Sequence, residues 1–316
     1  MNDADEIRLV RVTAVRPVAI DVIAYELAPA DGRSLPPFAP GAHIDVHVTE
    51  GQVRQYSLCG DGGKVGRYLI AVKKEVGGRG GSMAMHRHVE RGSTLGIGGP
   101  RNHFPLEAAL DTLFIAGGIG ITPILSMARQ VASRGGRWEL HYCARSREHA
   151  AFYDELVSLG HGRVISHFSE LPSLDVAGLL SELRPETQLY CCGPEGLMKA
   201  VQASTSHWPQ AHVHFEWFAA AASCWPANEA FQVELASSGQ LLDVPANCSI
   251  LQVLRQHGIR PPSACETGVC GSCETAVLAG APQHRDMLLT TDEKASNRSM
   301  MICVSRADSK RLRLGL

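Results

Sequence analysis

No stretch of this 316-residue sequence approaches the ~18 uninterrupted apolar residues that a membrane span needs. The first twenty residues, MNDADEIRLVRVTAVRPVAI, mix charges throughout and lack the apolar core of a signal peptide. Strong charge of either sign is missing too. With a net charge of −2, no basic surface announces nucleic acid or an anionic membrane as a partner. Internal repeats and low-complexity tracts are absent, which excludes solenoids and tails of biased composition. What remains is an ordinary globular composition, 45% hydrophobic and 20% charged, with the cytoplasm as the expected location.

The length exceeds the ~250–300 residues at which a single core stops growing, so several domains are expected. Three textures divide the chain. Residues 1–108 carry short β-type runs, Ala42–Val48 and Tyr68–Lys73, broken by glycine- and proline-rich turns, as in a small antiparallel barrel. Residues 109–222 alternate strands and helices, the pattern of a parallel sheet covered on both faces. Strands are expected at Thr112–Ala116, Trp138–Cys143, Arg163–His167, Gln188–Cys192 and His212–Trp217. Helices are expected near Pro123–Ser133, His149–Leu159 and Val176–Leu183, with another after Gly193-Pro194. The run Ala219–Glu229 is small, polar and proline-containing, and reads as a linker. Residues 223–316 form a third, α+β unit with a hairpin at Phe231–Val244 and a helix at Ile250–His257.

Ten cysteines are present, and four are set apart by spacing. Pro262–Glu274 reads PSACETGVCGSCE, giving Cys265-x4-Cys270-x2-Cys273, and Cys303 follows after twenty-nine intervening residues. This is the ligand spacing of a plant-type [2Fe–2S] cluster. Gly268 and Gly271 let the loop wrap closely, and Ser263 and Thr267 are candidate hydroxyl donors to the sulfurs. A structural zinc site is the rival, but zinc ribbons pair two Cys-x2-Cys knuckles, and here the fourth ligand stands alone. Cys59, Cys143, Cys191, Cys224 and Cys248 read as buried small hydrophobes or idle thiols.

Two further segments carry chemistry. Arg54-Gln55-Tyr56-Ser57-Leu58 ends a barrel strand: Arg can pair with a phosphate, Tyr can offer a ring face, and Ser can bond a polar edge. About twenty-five residues on, Gly78-Arg79-Gly80-Gly81-Ser82-Met83 leads into a probable helix at Ser82–Val89, whose first N–H groups suit a phosphate. On these residues alone, an ordinary strand end and glycine turn serve equally well. In the middle region, Gly117-Gly118-Ile119-Gly120-Ile121-Thr122-Pro123 follows a strand, where backbone N–H groups suit a pyrophosphate and Pro123 starts a helix. Tyr190-Cys191-Cys192-Gly193-Pro194 is a second such turn, and Cys192 reads either as part of a site or as a buried structural thiol. In Ala144-Arg145-Ser146-Arg147, after the next strand, Arg145 or Arg147 offers a guanidinium fork of the kind that suits a phosphate.

Taken together, the chain resembles the phthalate dioxygenase reductase / vanillate O-demethylase oxidoreductase family, within the ferredoxin–NADP reductase superfamily. The resemblance runs over essentially the full length and implies an FMN-binding barrel, an NAD-binding α/β domain and a β-grasp-like ferredoxin domain. It implies that Arg54 and the Gly80–Ser82 turn hold the FMN phosphate, that Tyr56 and Ser57 contact the isoalloxazine, and that Ala71, Val72 and Lys73 line the flavin. Gly117, Gly118, Gly120, Thr122, Arg145, Gly193 and Pro194 would bind the coenzyme, NADH rather than NADPH. Ser57, Cys192 and Phe218 would serve at the reacting centre, with Phe218 over the flavin. Electrons would pass from NADH through FMN and the cluster to a partner, a Rieske-type oxygenase acting on an aromatic acid. The sequence itself has no Cys-x-His…Cys-x2-His Rieske pair, so oxygen chemistry lies elsewhere. The alternatives are a stand-alone NAD(P)H dehydrogenase or oxidase, and a general electron carrier for another acceptor such as a cytochrome P450.

Overall fold

The computed structural model describes residues 6–49, 52–62, 66–171, 173–218 and 227–316. They divide into two compact units, Met1–Glu216 and Trp217–Leu316. The expected boundary at 222/223, and most of the expected linker, lie outside the described residues, as does Cys224.

The first unit opens with a long hairpin, β1 (Arg8–Ala19) and β2 (Val22–Pro29). Its tight turn uses Asp21 at a φ of 61°, a left-handed conformation that Asp tolerates. Then come β3 (His43–Thr49), β4 (Gln52–Ser57), β5 (Tyr68–Lys73), the helix α1 (Gly81–His88) and β6 (Thr94–Arg101). These strands make one antiparallel sheet in the order β4-β3-β6-β1-β2-β5. Just past β4, Cys59 N–H donates to Leu69 O at 2.9 Å, joining the two edges into a barrel. Alternate residues point inward, so Val10, Val12, Tyr25, Leu27, Ile44, Val46, Ile70 and Ile97 fill its core.

The α/β part runs β7 (Asp111–Gly117), α2 (Ile121–Ser133), β8 (Arg137–Ala144), α3 (Tyr153–Ser158), β9 (Gly162–Phe168), α4 (Val176–Leu179), β10 (Thr187–Cys192), α5 (Glu195–Ser204) and β11 (Val213–Glu216). The strands are parallel, in the order β11-β10-β7-β8-β9. Two helices are shorter than their sequence pattern. α3 starts only at Tyr153, because Phe152 sits at a φ of 59°, and α4 ends at Leu179. The apolar face of β7 and β8 (Phe114, Ala116, Leu140, Tyr142) packs on Ile124, Leu125 and Ala128 of α2, and the same cluster takes in Ala24, Cys59, Ala71 and Phe104. Barrel and α/β sheet therefore share one core.

The second unit comprises β12 (Phe231–Leu235), β13 (Leu241–Val244), α6 (Ile250–Gln256), β14 (Glu274–Ala279), β15 (Pro282–Gln283), α7 (Thr291–Ser296), β16 (Ser299–Met301), β17 (Arg306–Ala307) and β18 (Arg311–Leu314). Its five-stranded sheet has the order β13-β12-β18-β14-β16, with β12 and β18 parallel beneath α6, a β-grasp arrangement. Ser249 caps α6 in a full capping box with Gln252. Arg306 is buried against Phe231, and its guanidinium donates to the carbonyls of Cys248, Glu229 and Pro245, which satisfies a cation that burial would otherwise penalise.

One contact ties the barrel to α2. Gly41 has a φ of 89°, its N–H donates to Ser126 Oγ at 3.3 Å, and a Cβ there would fall 1.8 Å from Phe104 O. Gly41→Ala is expected to destabilise the chain by about 2 kcal/mol or more, since it adds left-handed strain to a clash with backbone. Urea unfolding checks this, and a change under about 0.5 kcal/mol, the size of an ordinary surface substitution, contradicts it.

Candidate functional site

In an open parallel sheet, a crevice forms where neighbouring strands send their following chains to opposite faces. Here that point lies between β7 and β10. The loop after β7 turns through Gly118–Gly120 into α2, and the loop after β10 is Gly193-Pro194. The two loops touch backbone to backbone. A Cβ on Gly120 would lie 2.2 Å from Cys192 O, one on Gly117 2.4 Å from Pro194 Cδ, and one on Gly193 2.9 Å from Gly117 N. Gly118 has open space beside it. No side chain caps the N-terminus of α2, and the N–H of its first residue, Ile121, bonds back to Gly118 O. Thr122 is buried, and its hydroxyl donates to Ile119 O at 3.0 Å, closing the turn.

Cys192 is fully buried at this point and pairs in register with Glu216 on β11. Burial, reinforced by the Glu216 carboxyl, pushes its thiol well up, so it stands as a neutral group and not as a nucleophile. Glu216 is half-buried as a residue, but its carboxyl is desolvated, and that pushes it up to about 8 in spite of a hydrogen bond with Ser57. Its Oε2 has no hydrogen-bond partner among the described residues. Ser57, Cys192 and Glu216 therefore form one buried polar group. Glu216 is the member of this group that the sequence reading did not single out. The available signal was a carboxylate set among His214, Phe215 and Trp217 at a strand end. Phe218 is 43% exposed and belongs to the second unit.

The barrel contributes Arg54, Tyr56 and Ser57 from the end of β4. Arg54 donates to Val53 O at 2.8 Å and to Arg79 O at 3.0 Å, which holds its guanidinium across the start of α1. A Cβ on Gly81 would meet Arg54 Cγ and Nε at 2.6 Å, so glycine is required for this approach. Gly80, at a φ of 83°, is the N-cap of α1 and supplies no side chain. A cation thus stands beside uncapped helix N–H groups, the chemistry of a phosphate cradle. Tyr56 Oη is buried with no partner among the described residues, a second place where a bound group would satisfy the protein. The neighbouring side chains are already engaged. Lys73 pairs with Glu75 at 2.5 Å, Ser82 Oγ accepts from Glu75 N–H at 3.1 Å, and Ala71 and Val72 point into the two cores. Backbone is what β5 and the glycine turn offer.

At the end of β8, Arg147 pairs with Asp154 and lies over the Tyr153 ring at 4.0 Å. Arg145 is exposed and makes no ion pair or hydrogen bond through its side chain among the described residues. Ser146 donates to Glu148 Oε2 at 2.6 Å.

In the second unit all four cluster cysteines are free thiols in mutual contact. Cys265 bonds with Cys270 and with Cys303, and Cys273 bonds with Cys303. The three contacts join the four cysteines into one group, which would supply the four thiolates of a [2Fe–2S] cluster. Among the described residues no three His, Cys, Asp or Glu side chains are placed to hold a single metal ion. Hydrogen bonds from Cys270 and Cys303, with Thr267 N–H at 3.4 Å, pull the Cys265 thiol well down, and the same thiol–thiol bonds push Cys270 and Cys303 up. Gly268 (φ 75°) and Gly271 (φ 74°) are left-handed, and a Cβ on Gly268 would strike Val304 at 2.6 Å. Ser263, an expected donor to sulfur, is bound to Arg255 instead; Ser272 contributes the hydroxyl, to Cys270. Cys270, Cys273 and Cys303 are 2%, 3% and 7% exposed, whereas Cys265 is half-buried. Of the other cysteines, Cys59 and Cys191 are buried, and Cys143 and Cys248 are partly so.

These sites define an NAD-linked iron–sulfur oxidoreductase. The profile of the oxidoreductase NAD-binding domain matches residues 114–203, and that of the 2Fe-2S iron-sulfur cluster binding domain matches residues 233–308. Vanillate O-demethylase oxidoreductase of Pseudomonas putida is 46% identical over 94% of this chain and 96% of its own length. Phthalate dioxygenase reductase of Burkholderia cepacia is 42% identical over 97% and 96%. A solved phthalate dioxygenase reductase, described as a modular structure for electron transfer from pyridine nucleotides to [2Fe-2S], aligns with a TM-score of 0.74 over 99% of this chain and 98% of its own. An intact type IV self-sufficient cytochrome P450 monooxygenase aligns at 0.89 with 40% identity; this chain spans 41% of that protein. The chain belongs to the phthalate dioxygenase reductase / vanillate O-demethylase oxidoreductase family.

Two measurements probe the crevice. The raised Glu216 carboxyl favours folding below its unfolded value of 4.5, and that contribution is lost as pH rises through about 8. Each pH unit inside the window should cost up to about 1.4 kcal/mol, and Glu216→Gln should flatten that part of the stability–pH curve, read by thermal or urea unfolding. Gly120→Ala should drive the two loops apart and weaken NADH binding by roughly tenfold, about 1.4 kcal/mol, while leaving the cluster absorbance unchanged. Equal affinity in the two proteins would contradict the close packing.

Proposed function

We propose that this chain is the reductase component of an oxygenase system, taking electrons from NADH and passing them singly to a separate Rieske-type oxygenase that acts on an aromatic acid. The observation that carries the reading is the meeting of a phosphate cradle, a glycine-lined nucleotide crevice and the buried Ser57–Cys192–Glu216 group within one unit, followed in the same chain by a four-cysteine loop. FMN, when bound, supplies the conversion from a two-electron to a one-electron carrier, and the [2Fe–2S] cluster supplies the one-electron relay.

The protein's own part is orientation and exclusion of water. Arg54 and the N–H groups of Gly81 and Ser82 would hold the FMN phosphate, and Tyr56 and Ser57 would fix the ring edge. Gly117, Gly118, Gly120, Gly193 and Pro194 let the coenzyme lie against backbone, with α2 directed at its pyrophosphate. Cys192 and Glu216 stay protonated near neutrality, so the crevice holds no fixed negative charge against an arriving hydride. Arg145 lies where the adenosine ribose ends, and Arg147 is withheld by Asp154, which fits NADH better than a 2′-phosphorylated coenzyme. Cys265, Cys270, Cys273 and Cys303 hold the cluster, with the Cys265 side outermost and so the exit for electrons.

A cytochrome P450 as acceptor is the second reading, supported by the 0.89 alignment with part of a self-sufficient P450. Anaerobic titration with NADH separates the steps. Flavin bleaching followed by loss of cluster absorbance is expected, and Cys303→Ser should keep the first and lose the second. Flavin bleaching without any cluster signal in the unmodified protein would sink the relay. Adding purified Rieske oxygenase or P450 to the reduced protein then decides the acceptor.

A further inference from the structure

The loop around Cys265 is held in a conformation its residue types do not favour. Glu266, the next residue, has a φ of 56°, left-handed for a residue with a side chain. Arg255, in the last turn of α6, reaches both flanks of Cys265: one guanidinium nitrogen donates to Glu266 Oε1 at 2.8 Å and the other to Ser263 Oγ at 2.8 Å. α6 is itself anchored. Its capping box fixes the first turn, and Leu251 N–H donates to Ile302 O, the residue before Cys303. One helix thus grips the chain beside the first ligand and beside the fourth.

We propose that Arg255 is a positioning residue for the iron–sulfur cluster, its fork clamping Ser263 and Glu266 so that the turn between them keeps Thr267 N–H on Cys265 Sγ. That hydrogen bond, at 3.4 Å, favours the more negative, reduced state of the cluster and so raises its potential. Without the clamp, Glu266 relaxes from its left-handed conformation, the N–H swings off the sulfur, and the outermost ligand becomes the weakest. Lysine has no fork and cannot hold both flanks. The contrary case is also physical. The Arg255 and Glu266 side chains are 41% and 39% exposed, and an exposed ion pair often contributes nothing measurable.

The inference rests on the four cysteines holding the cluster, and the experiment separates the two. Full-length holoprotein is compared with Arg255→Gln, Arg255→Lys and the double variant Arg255→Gln/Glu266→Gly. The readouts are the cluster midpoint potential, its EPR spectrum and the rate of cluster bleaching by a chelator, with NADH-driven flavin bleaching as a control. Arg255→Gln should lower the potential and bleach several-fold faster with flavin reduction unchanged, and Arg255→Lys should fall between. Glycine takes a φ of 56° without strain, so the double variant should recover slow bleaching. Should Arg255→Gln not fold, Glu266→Gln, which weakens one arm, carries the same readings. A wild-type potential and bleaching rate in Arg255→Gln, or a double variant no better than the single one, would overturn the proposal. An unmodified chain purified without iron and sulfide overturns the cluster assignment instead, and the proposal with it.

Discussion

Two loops of the parallel sheet meet with no room for a side chain between them, and the arrangement of the first unit follows from that contact. Gly117, Gly120 and Gly193 bring the ends of β7 and β10 into backbone contact, which fixes Cys192 at the bottom of the crevice. Cys192 in turn lies beside β11 in register with Glu216, and Glu216 bonds Ser57 of the barrel. A shift of one loop would carry through this series to the barrel wall. The interior is close-packed and has few ways to absorb such a displacement.

The shared core reinforces the same link. Ala24, Cys59 and Ala71 of the barrel belong to the cluster that includes Ile124 and Tyr142 of the α/β part, and Arg129 on α2 bonds Cys59 O and Glu155. The barrel and the sheet therefore cannot be displaced against each other without opening apolar surface, at about 25 cal/mol for each Å² exposed. Such rigidity suits a site whose chemistry depends on two planar rings being held in one geometry. In the second unit the fixed body is α6 with the five-stranded sheet, and the cysteine loop is draped against it.

What the sequence disclosed was whatever depends on local spacing. Cys265, Cys270 and Cys273 announce themselves because a cluster sets the distance between ligands, and the glycine turns do so because close approach excludes a Cβ. Glu216 stayed hidden because its role arises from Ser57, on a strand remote in sequence and brought near only by the packing of barrel on sheet. Ser263 was misleading for a related reason. Its hydroxyl stands next to the cluster loop in sequence, but Arg255 on α6 takes it. β1 was illegible because charged residues and Pro17 interrupt its alternation, and the shift in pairing at Pro17–Ala19 is what accommodates that proline. The early stop of the expected helix at His149–Leu159 comes from Phe152, whose positive φ no propensity scale anticipates.

The two sites treat charge in opposite ways, and the contrast follows from what each must do. Around Cys192 the protein keeps polar groups neutral: burial raises both the thiol and the Glu216 carboxyl. Around Cys265 it favours the thiolate, with neighbouring thiols and Thr267 N–H drawing the sulfur towards its charged form. Of the four ligands only Cys265 approaches the surface, and it alone is flanked by a non-glycine residue in the left-handed region. An electron leaving for another protein must cross the thinnest insulating layer available, so the ligand nearest solvent is also the one whose geometry most needs to be held from outside the loop. The Arg255 fork answers that need, and it spares the loop from burying a ligand that has to stay accessible.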